Sequence, residues 1–180
     1  MTPVVAEAQT IGQTSSDTVF SGSGQGQTFV ATVTGNVTQI AVRPGTSVSG
    51  DTLRVYNGGC GACGAAISTQ TVNTTAAADD AAPLQTITLS TPFPVVAGNN
   101  YSFVFNSTRL RVSTTNTYLN GAHVFGFTGI APAYDVAFQV TQVIPPPVAV
   151  PTLSEWAMIL FGLALAGAAS LLISRRRQAL

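Results

Sequence analysis

Pro94-Val95-Val96-Ala97-Gly98-Asn99-Asn100-Tyr101-Ser102-Phe103-Val104-Phe105 is the stretch whose reading decides the fold. Tyr101, Phe103 and Phe105 alternate with Ser102 and Val104, the period-2 pattern of a pleated strand. Ala97-Gly98-Asn99 interrupts the apolar run with residues that favour a turn. Strand, turn and strand therefore follow one another within a dozen residues. The same grammar extends outward. Ile87 and Leu89 alternate with Thr86 and Thr88, Leu110 and Val112 with Arg109 and Arg111, and Val136, Phe138 and Val140 with Ala137 and Gln139. Leu53 and Val55 alternate with Thr52, Arg54 and Tyr56, and Phe29–Val33 and Ile40–Val42 complete the set. Thr34-Gly35-Asn36, Arg43-Pro44-Gly45 and Asn57-Gly58-Gly59 punctuate these runs. β-Branched and aromatic residues suit a half-buried pleated surface. The body, 9–143, thus reads as an all-β fold, an antiparallel β-sandwich of jelly-roll-like type.

The whole chain has 180 residues, enough for one domain with appendages. Charged residues make up only 8% of it, against roughly 25% in ordinary soluble domains. Seven basic and seven acidic residues cancel, and every basic residue is arginine. No basic excess exists to neutralise phosphates, so nucleic acid is excluded as a partner. The charges are unevenly placed. Residues 1–150 hold four arginines and six aspartates or glutamates, whereas 151–180 hold three arginines and one glutamate. A slightly acidic body ends in a basic terminus, an asymmetry that points to a membrane.

Trp156–Ile173 reads WAMILFGLALAGAASLLI, with no charge and one hydroxyl, Ser170. Eighteen helical residues reach roughly 27 Å, close to the ~30 Å hydrocarbon core of a bilayer. No polar face recurs at helical spacing, which disfavours an amphipathic surface helix. A buried core helix seldom combines this length and apolarity with a basic end. Trp156 suits the headgroup level at one end, and Arg175, Arg176 and Arg177 form a stop-transfer cluster at the other. The positive-inside rule places the arginines in the cytoplasm and the body outside. Ile144-Pro145-Pro146-Pro147-Val148 begins a Pro-rich linker, 144–149, of extended polyproline geometry.

Val150-Pro151-Thr152-Leu153-Ser154-Glu155-Trp156 leads directly into the span. Together with the apolar helix and the arginines, this segment resembles the IPTL-CTERM sorting tail of surface proteins from Gram-negative bacteria. That tail runs I-P-T-L-S-E-W-G, then an apolar helix, then a short Arg-rich end. Val150 stands here for Ile and Ala157 for Gly, two small apolar departures. The resemblance covers 150–180 and implies recognition by an exosortase-like intramembrane transpeptidase. That enzyme would process the tail and hand the body to a surface carrier. A permanent single-pass anchor is the plainer alternative. Pro151 lacks an N–H and biases Val150 toward extended geometry, which leaves a strand-like segment for a membrane enzyme to grip. The body is similar, more weakly, to the jelly-roll domains that precede such tails, through Gly26-Gln27-Thr28-Phe29, Leu53–Gly58 and Pro94–Tyr101.

Export needs an address. Residues 1–8 hold no basic n-region or apolar core, yet Ala6-Glu7-Ala8 fits the small-x-small cleavage rule. They are read as the remnant of a signal peptide whose start lies upstream. A tail-anchored protein with a cytoplasmic body is the alternative, and it opposes the charge rule.

Few residues offer chemistry. Cys60-Gly61-Ala62-Cys63 sits among glycines, where a redox helix is disfavoured and an oxidising compartment favours a structural disulfide between Cys60 and Cys63. Redox activity, metal binding and free thiols are its alternatives. His123 is the single histidine and reads as a surface or loop residue. No set of metal ligands and no cofactor motif is apparent, and no G-x-S-x-G elbow is present. Asp79-Asp80 reads as a solvated loop, with a structural calcium as its alternative. Tyr56, Tyr118 and Tyr134 are candidate glycan-stacking surfaces, with half-buried packing as the competing reading. The expected function is a non-enzymatic exported surface or matrix protein. Its partners would be the membrane and the sorting enzyme. It would be held in the inner membrane before processing and at the cell surface or in the matrix afterwards. A carbohydrate-binding module for exopolysaccharide or cell-surface glycan is the first alternative. A self-assembling fibre subunit joined through strand edges is the second. A small extracellular hydrolase is the third.

Overall fold

Thirteen strands and one helix are built from residues 7–60, 64–146 and 153–177, the part of the chain that the computed structural model describes. In chain order the strands are β1 (Ala8–Gln13), β2 (Thr18–Val19), β3 (Gln25–Val30), β4 (Gly35–Val42), β5 (Val48–Asn57), β6 (Ser68–Thr74), β7 (Gln85–Val95), β8 (Asn100–Phe105), β9 (Arg111–Ser113), β10 (His123–Phe125), β11 (Gly129–Ala131), β12 (Asp135–Val136) and β13 (Phe138–Val143). The helix is α1 (Leu153–Arg177). Two compact units separate, Met1–Pro146 and Pro147–Leu180.

All strand pairings in the first unit are antiparallel. A four-stranded sheet has the order β1-β13-β4-β7, and a six-stranded sheet the order β11-β10-β3-β8-β5-β6. A small three-stranded sheet has the order β12-β9-β2. Register explains why these two large sheets meet. Ile11 lies opposite Val140, Val140 opposite Ile40, and Ile40 opposite Ile87, a continuous β-branched row. One residue along, Thr10, Thr141, Gln39 and Thr88 form the next row. Successive side chains point to opposite faces, so the first row packs inward and the second meets solvent. The six-stranded sheet answers with Val55, Phe103 and Gln27 in one row and Leu53, Phe105 and Gln25 in the next. Phe29, Phe103, Phe105 and Phe138 are fully buried in one cluster with Ile40, Leu53 and Val140. Both inner faces thus share one core, the arrangement of a sandwich.

A smaller cluster covers part of the opposite face of the six-stranded sheet. It joins Tyr56, Cys60, Val104 and Val124, with Phe127 packed against it. Val104 and Val124 flank Gly26, where any Cβ would run into the carbonyl oxygen of Phe103. Glycine is required there because the backbones of adjacent strands leave no room.

Polar side chains inside the sandwich are anchored to backbone. The Gln25 amide donates to the carbonyls of Phe20 and Gly22 at 2.8 and 2.9 Å and accepts from the Leu110 N–H at 2.8 Å. Asp135 is fully buried. Its carboxylate accepts from the Gln27 amide and from the N–H groups of Thr117 and Tyr118, each at 2.8 Å. Asp51 does the same, accepting from the N–H groups of Thr52, Ser107 and Thr108 and from the Thr108 hydroxyl at 2.5 Å. Each bond replaces one lost to water, which is why these groups are tolerated in the core.

Two strands alternate in burial without an apolar residue at each inward position. In β6 only Val72 and Thr74 are buried, and β1 contributes a single large apolar residue, Ile11. Both are edge strands with mostly polar sequences. Gly35 and Asn36, which read as a turn, instead open β4, opposite Val95 and Pro94.

Asp135→Ala should lower the unfolding free energy of the full chain by about 3 kcal/mol, because three donors lose their acceptor in the core. Phe103→Ala should cost about 3–5 kcal/mol. Thr10→Ala, on the exposed row, should stay within about 0.5 kcal/mol. Urea denaturation in detergent solution measures all three. Equal losses for Thr10→Ala and Asp135→Ala would contradict the assigned register.

Candidate functional site

Helix α1 is 25 residues long. By sequence, Glu155 falls in its first turn and Arg175–Arg177 in its last, the charge order that the helix dipole favours. Val150, Pro151 and Thr152 of the sorting segment lie outside the described residues, as do the side chains of Leu153, Ser154, Glu155 and the three arginines. Every described side chain of the helix, from Trp156 to Ser170, is exposed. Met158 is 74% exposed, Phe161 65% and Leu163 65%, so apolar surface faces outward all round. The Ser170 hydroxyl donates to the Gly167 carbonyl at 2.8 Å and is satisfied inside its own helix. Among the described residues no helix is long and apolar enough to cross a membrane. The described side chains end at Ser170, and the apolar run continues in the sequence through Leu171, Leu172 and Ile173.

The three tyrosines are placed apart, each in its own packing. Tyr56 is buried in the smaller cluster. Tyr118 sets its ring edge-on to Phe138 at 5.2 Å, and its hydroxyl accepts from the Val30 N–H at 3.3 Å. Burial raises the Tyr118 pKa above the ordinary phenol value. Tyr134 lies half-buried, 6.1 Å from Phe20. Cys60 is fully buried, with its sulfur 3.2 Å from the Phe127 carbonyl oxygen. Cys63 lies outside the described residues. The chain turns sharply beside this contact: Phe127 adopts a φ of 67°, a left-handed backbone that non-glycine residues seldom hold.

Asp80 is not a free carboxylate. It accepts from the Ser16 hydroxyl at 2.8 Å and pairs with Arg111 at 2.9 Å. The Ser16 bond, aided by Arg111, holds its carboxyl below the usual range. Arg43 reinforces the same loop by donating to the Ala82 and Thr14 carbonyls and the Ser16 hydroxyl. Burial pulls the Arg43 guanidinium below its ordinary pKa. These contacts fasten the loop after β6 to the sandwich. Among the described residues no three His, Cys, Asp or Glu side chains converge on a metal-sized site.

His123 corrects the sequence reading. It is no surface or loop residue but the first residue of β10, fully buried, opposite Gln27 and Ala131. Its ring stands edge-on to Phe20 at 4.6 Å, with Phe125 6.1 Å away. Neither ring nitrogen has a hydrogen-bond partner. The Asp135 carboxylate is occupied by Gln27 and two N–H groups, so it does not orient the imidazole for base catalysis. Alternation around Gly121-Ala122-His123-Val124 was the available signal, but two weak positions precede it and the strand is only three residues long.

One surface feature lay beyond sequence reasoning. A cavity of about 350 Å³ opens between the edges of β6 and β7, lined by Ile67, Ser68, Thr69 and Thr91–Pro94.

Comparison with known families identifies the tail. Residues 148–178 match the family described as the IPTL-CTERM motif. The chain therefore carries a sorting signal at its C-terminal end, and that signal marks it as a substrate of a sorting enzyme. No curated protein matches the chain.

Burial without a partner lowers the His123 pKa from 6.5 to about 4. The folded state therefore refuses a proton that the unfolded chain accepts. The stability this group leaves intact above pH 6.5 should be lost progressively as pH falls toward 4, by on the order of 3 kcal/mol. Denaturation curves at pH 7 and pH 4.5 test it. His123→Phe should show a smaller loss between these pH values than the parent chain, and an equal loss would refute the assignment.

Proposed function

We propose that the chain is a non-enzymatic, exported surface or matrix protein whose tail is processed by an exosortase-like transpeptidase in the inner membrane. The observation that carries this reading is the match of 148–178 to the IPTL-CTERM motif, centred on an apolar helix. In this reading 156–173 spans the bilayer. An exposed apolar helix is costly in water, and the same surface is at home in lipid. The arginines stay on the cytoplasmic side, and the body, 9–143, faces outward. The linker 144–149 holds the body off the membrane and leaves Val150–Trp156 open to the enzyme. The chain supplies the extended segment and its depth, and the enzyme supplies the chemistry.

The body is proposed to be a jelly roll. The order β1-β13-β4-β7 beside β3-β8-β5-β6 supports this, because two nested Greek keys give that interleaving of early and late strands. Cys60 and Cys63 are proposed to form a disulfide that ties the loop after β5. The complete burial of Cys60 supports it.

The mass of the surface form tests both parts. The mature protein should be shorter than the encoded chain at its C-terminus. Replacing Arg175–Arg177 by glutamine, or Pro151 by alanine, should leave the unprocessed chain in the inner membrane. A surface form that still ends at Leu180 would establish a permanent anchor instead. The body should also weigh two hydrogens less than its reduced formula and resist alkylation until reductant is added.

A further inference from the structure

We propose that the cleft between the edges of β6 and β7 binds an uncharged glycan. The inference stands on the body alone and is independent of how the tail is handled.

The cleft arises from a local failure of pairing. Against β4, the register of β7 jumps from Thr88 opposite Gln39 to Phe93 opposite Val37. The intervening residues bulge, and the in–out alternation lapses at Thr91 before it resumes at Phe93. Leu89 and Phe93 point into the core, while Ser90, Thr91 and Pro92 are all exposed. Thr91 holds a position that regular alternation would bury. Pro92 and Pro94 have no N–H to offer a neighbouring strand. At the near side of the bulge, Gln70 of β6 bridges the two sheets. Its amide nitrogen donates to the Thr88 carbonyl at 3.3 Å, and its oxygen accepts from the Ser90 N–H at 2.9 Å. Beyond that bridge the sheets part and leave about 350 Å³. This volume is in the range of small-ligand sites.

The lining selects the occupant. Ser68, Thr69 and Thr91 are its hydroxyl-bearing lining residues, and Ile67, Pro92, Phe93 and Pro94 its apolar ones. Ile67 is 46% exposed, and no charged side chain lines the cleft. A pyranose ring has the same double character, with a C–H face to lie on proline rings and a rim of hydroxyls to exchange hydrogen bonds. An added peptide strand fits less well, because the prolines remove the donors that strand addition needs. An acidic polysaccharide finds no cation in the lining.

The full chain in detergent micelles can be run through native gels containing hydroxyethyl cellulose, mixed-linkage glucan, galactomannan or dextran, with alginate as the anionic comparison. At least one neutral polymer should retard it, and alginate should not retard it more. The triple variant Ser68→Ala, Thr69→Ala, Thr91→Ala should bind about tenfold more weakly while melting like the parent. Thr91→Trp should fill the cleft and abolish retardation. Thr10→Ala, on the other exposed row, should change nothing. The proposal fails if none of the four neutral polymers retards the chain or if alginate retards it most. It also fails if the folded triple variant binds like the parent.

Discussion

Every second side chain of an antiparallel strand must leave water on the same face as its cross-strand neighbours, and this sandwich depends on that constraint. Ile11, Val140, Ile40 and Ile87 satisfy it across four strands, while Thr10, Thr141, Gln39 and Thr88 occupy the alternate face. A slip of one residue would exchange the two rows and expose the whole apolar set. The register is therefore held by the core itself, with little help from ion pairs. Among the described residues, Arg111 and Asp80 form the one salt bridge. A chain with so few charges has to gain its specificity from packing and from buried hydrogen bonds.

Those buried bonds have a distinct task. Gln25, Asp51 and Asp135 bring backbone N–H and carbonyl groups of loops into contact with the sheet, and Gln27 holds the Asp135 carboxylate and the Val136 N–H. Loops usually lie on the surface because their backbone needs water. Here carboxylates and amides take the place of that water. His123 shows the limit of the device, since its ring is enclosed by aromatic side chains and its nitrogens are left without partners.

The cleft beside β7 follows from the same pairing rule by exception. Where Pro92 and Pro94 withhold their N–H groups and the register jumps, the sheets separate. The two ends of the protein are thus suited to different surroundings. The tail presents a helix that is apolar on all sides, and the body presents uncharged hydroxyl and amide groups.

Much of this was legible in the amino-acid order. The alternation in Tyr101–Phe105 and Gln85–Leu89, the turn at Ala97-Gly98-Asn99 and the apolar, Arg-ended tail are local patterns, written within a few residues of one another. They determine strand, turn and helix because backbone geometry converts short periods directly into faces. β1 and β6 escaped notice because an edge strand buries few side chains and needs no strong period. The burial of His123, the separate packing of Tyr56, Tyr118 and Tyr134, and the cleft at Thr91 were decided only in three dimensions. Each depends on residues distant in sequence being brought alongside, and burial is a property of that company rather than of the residue itself.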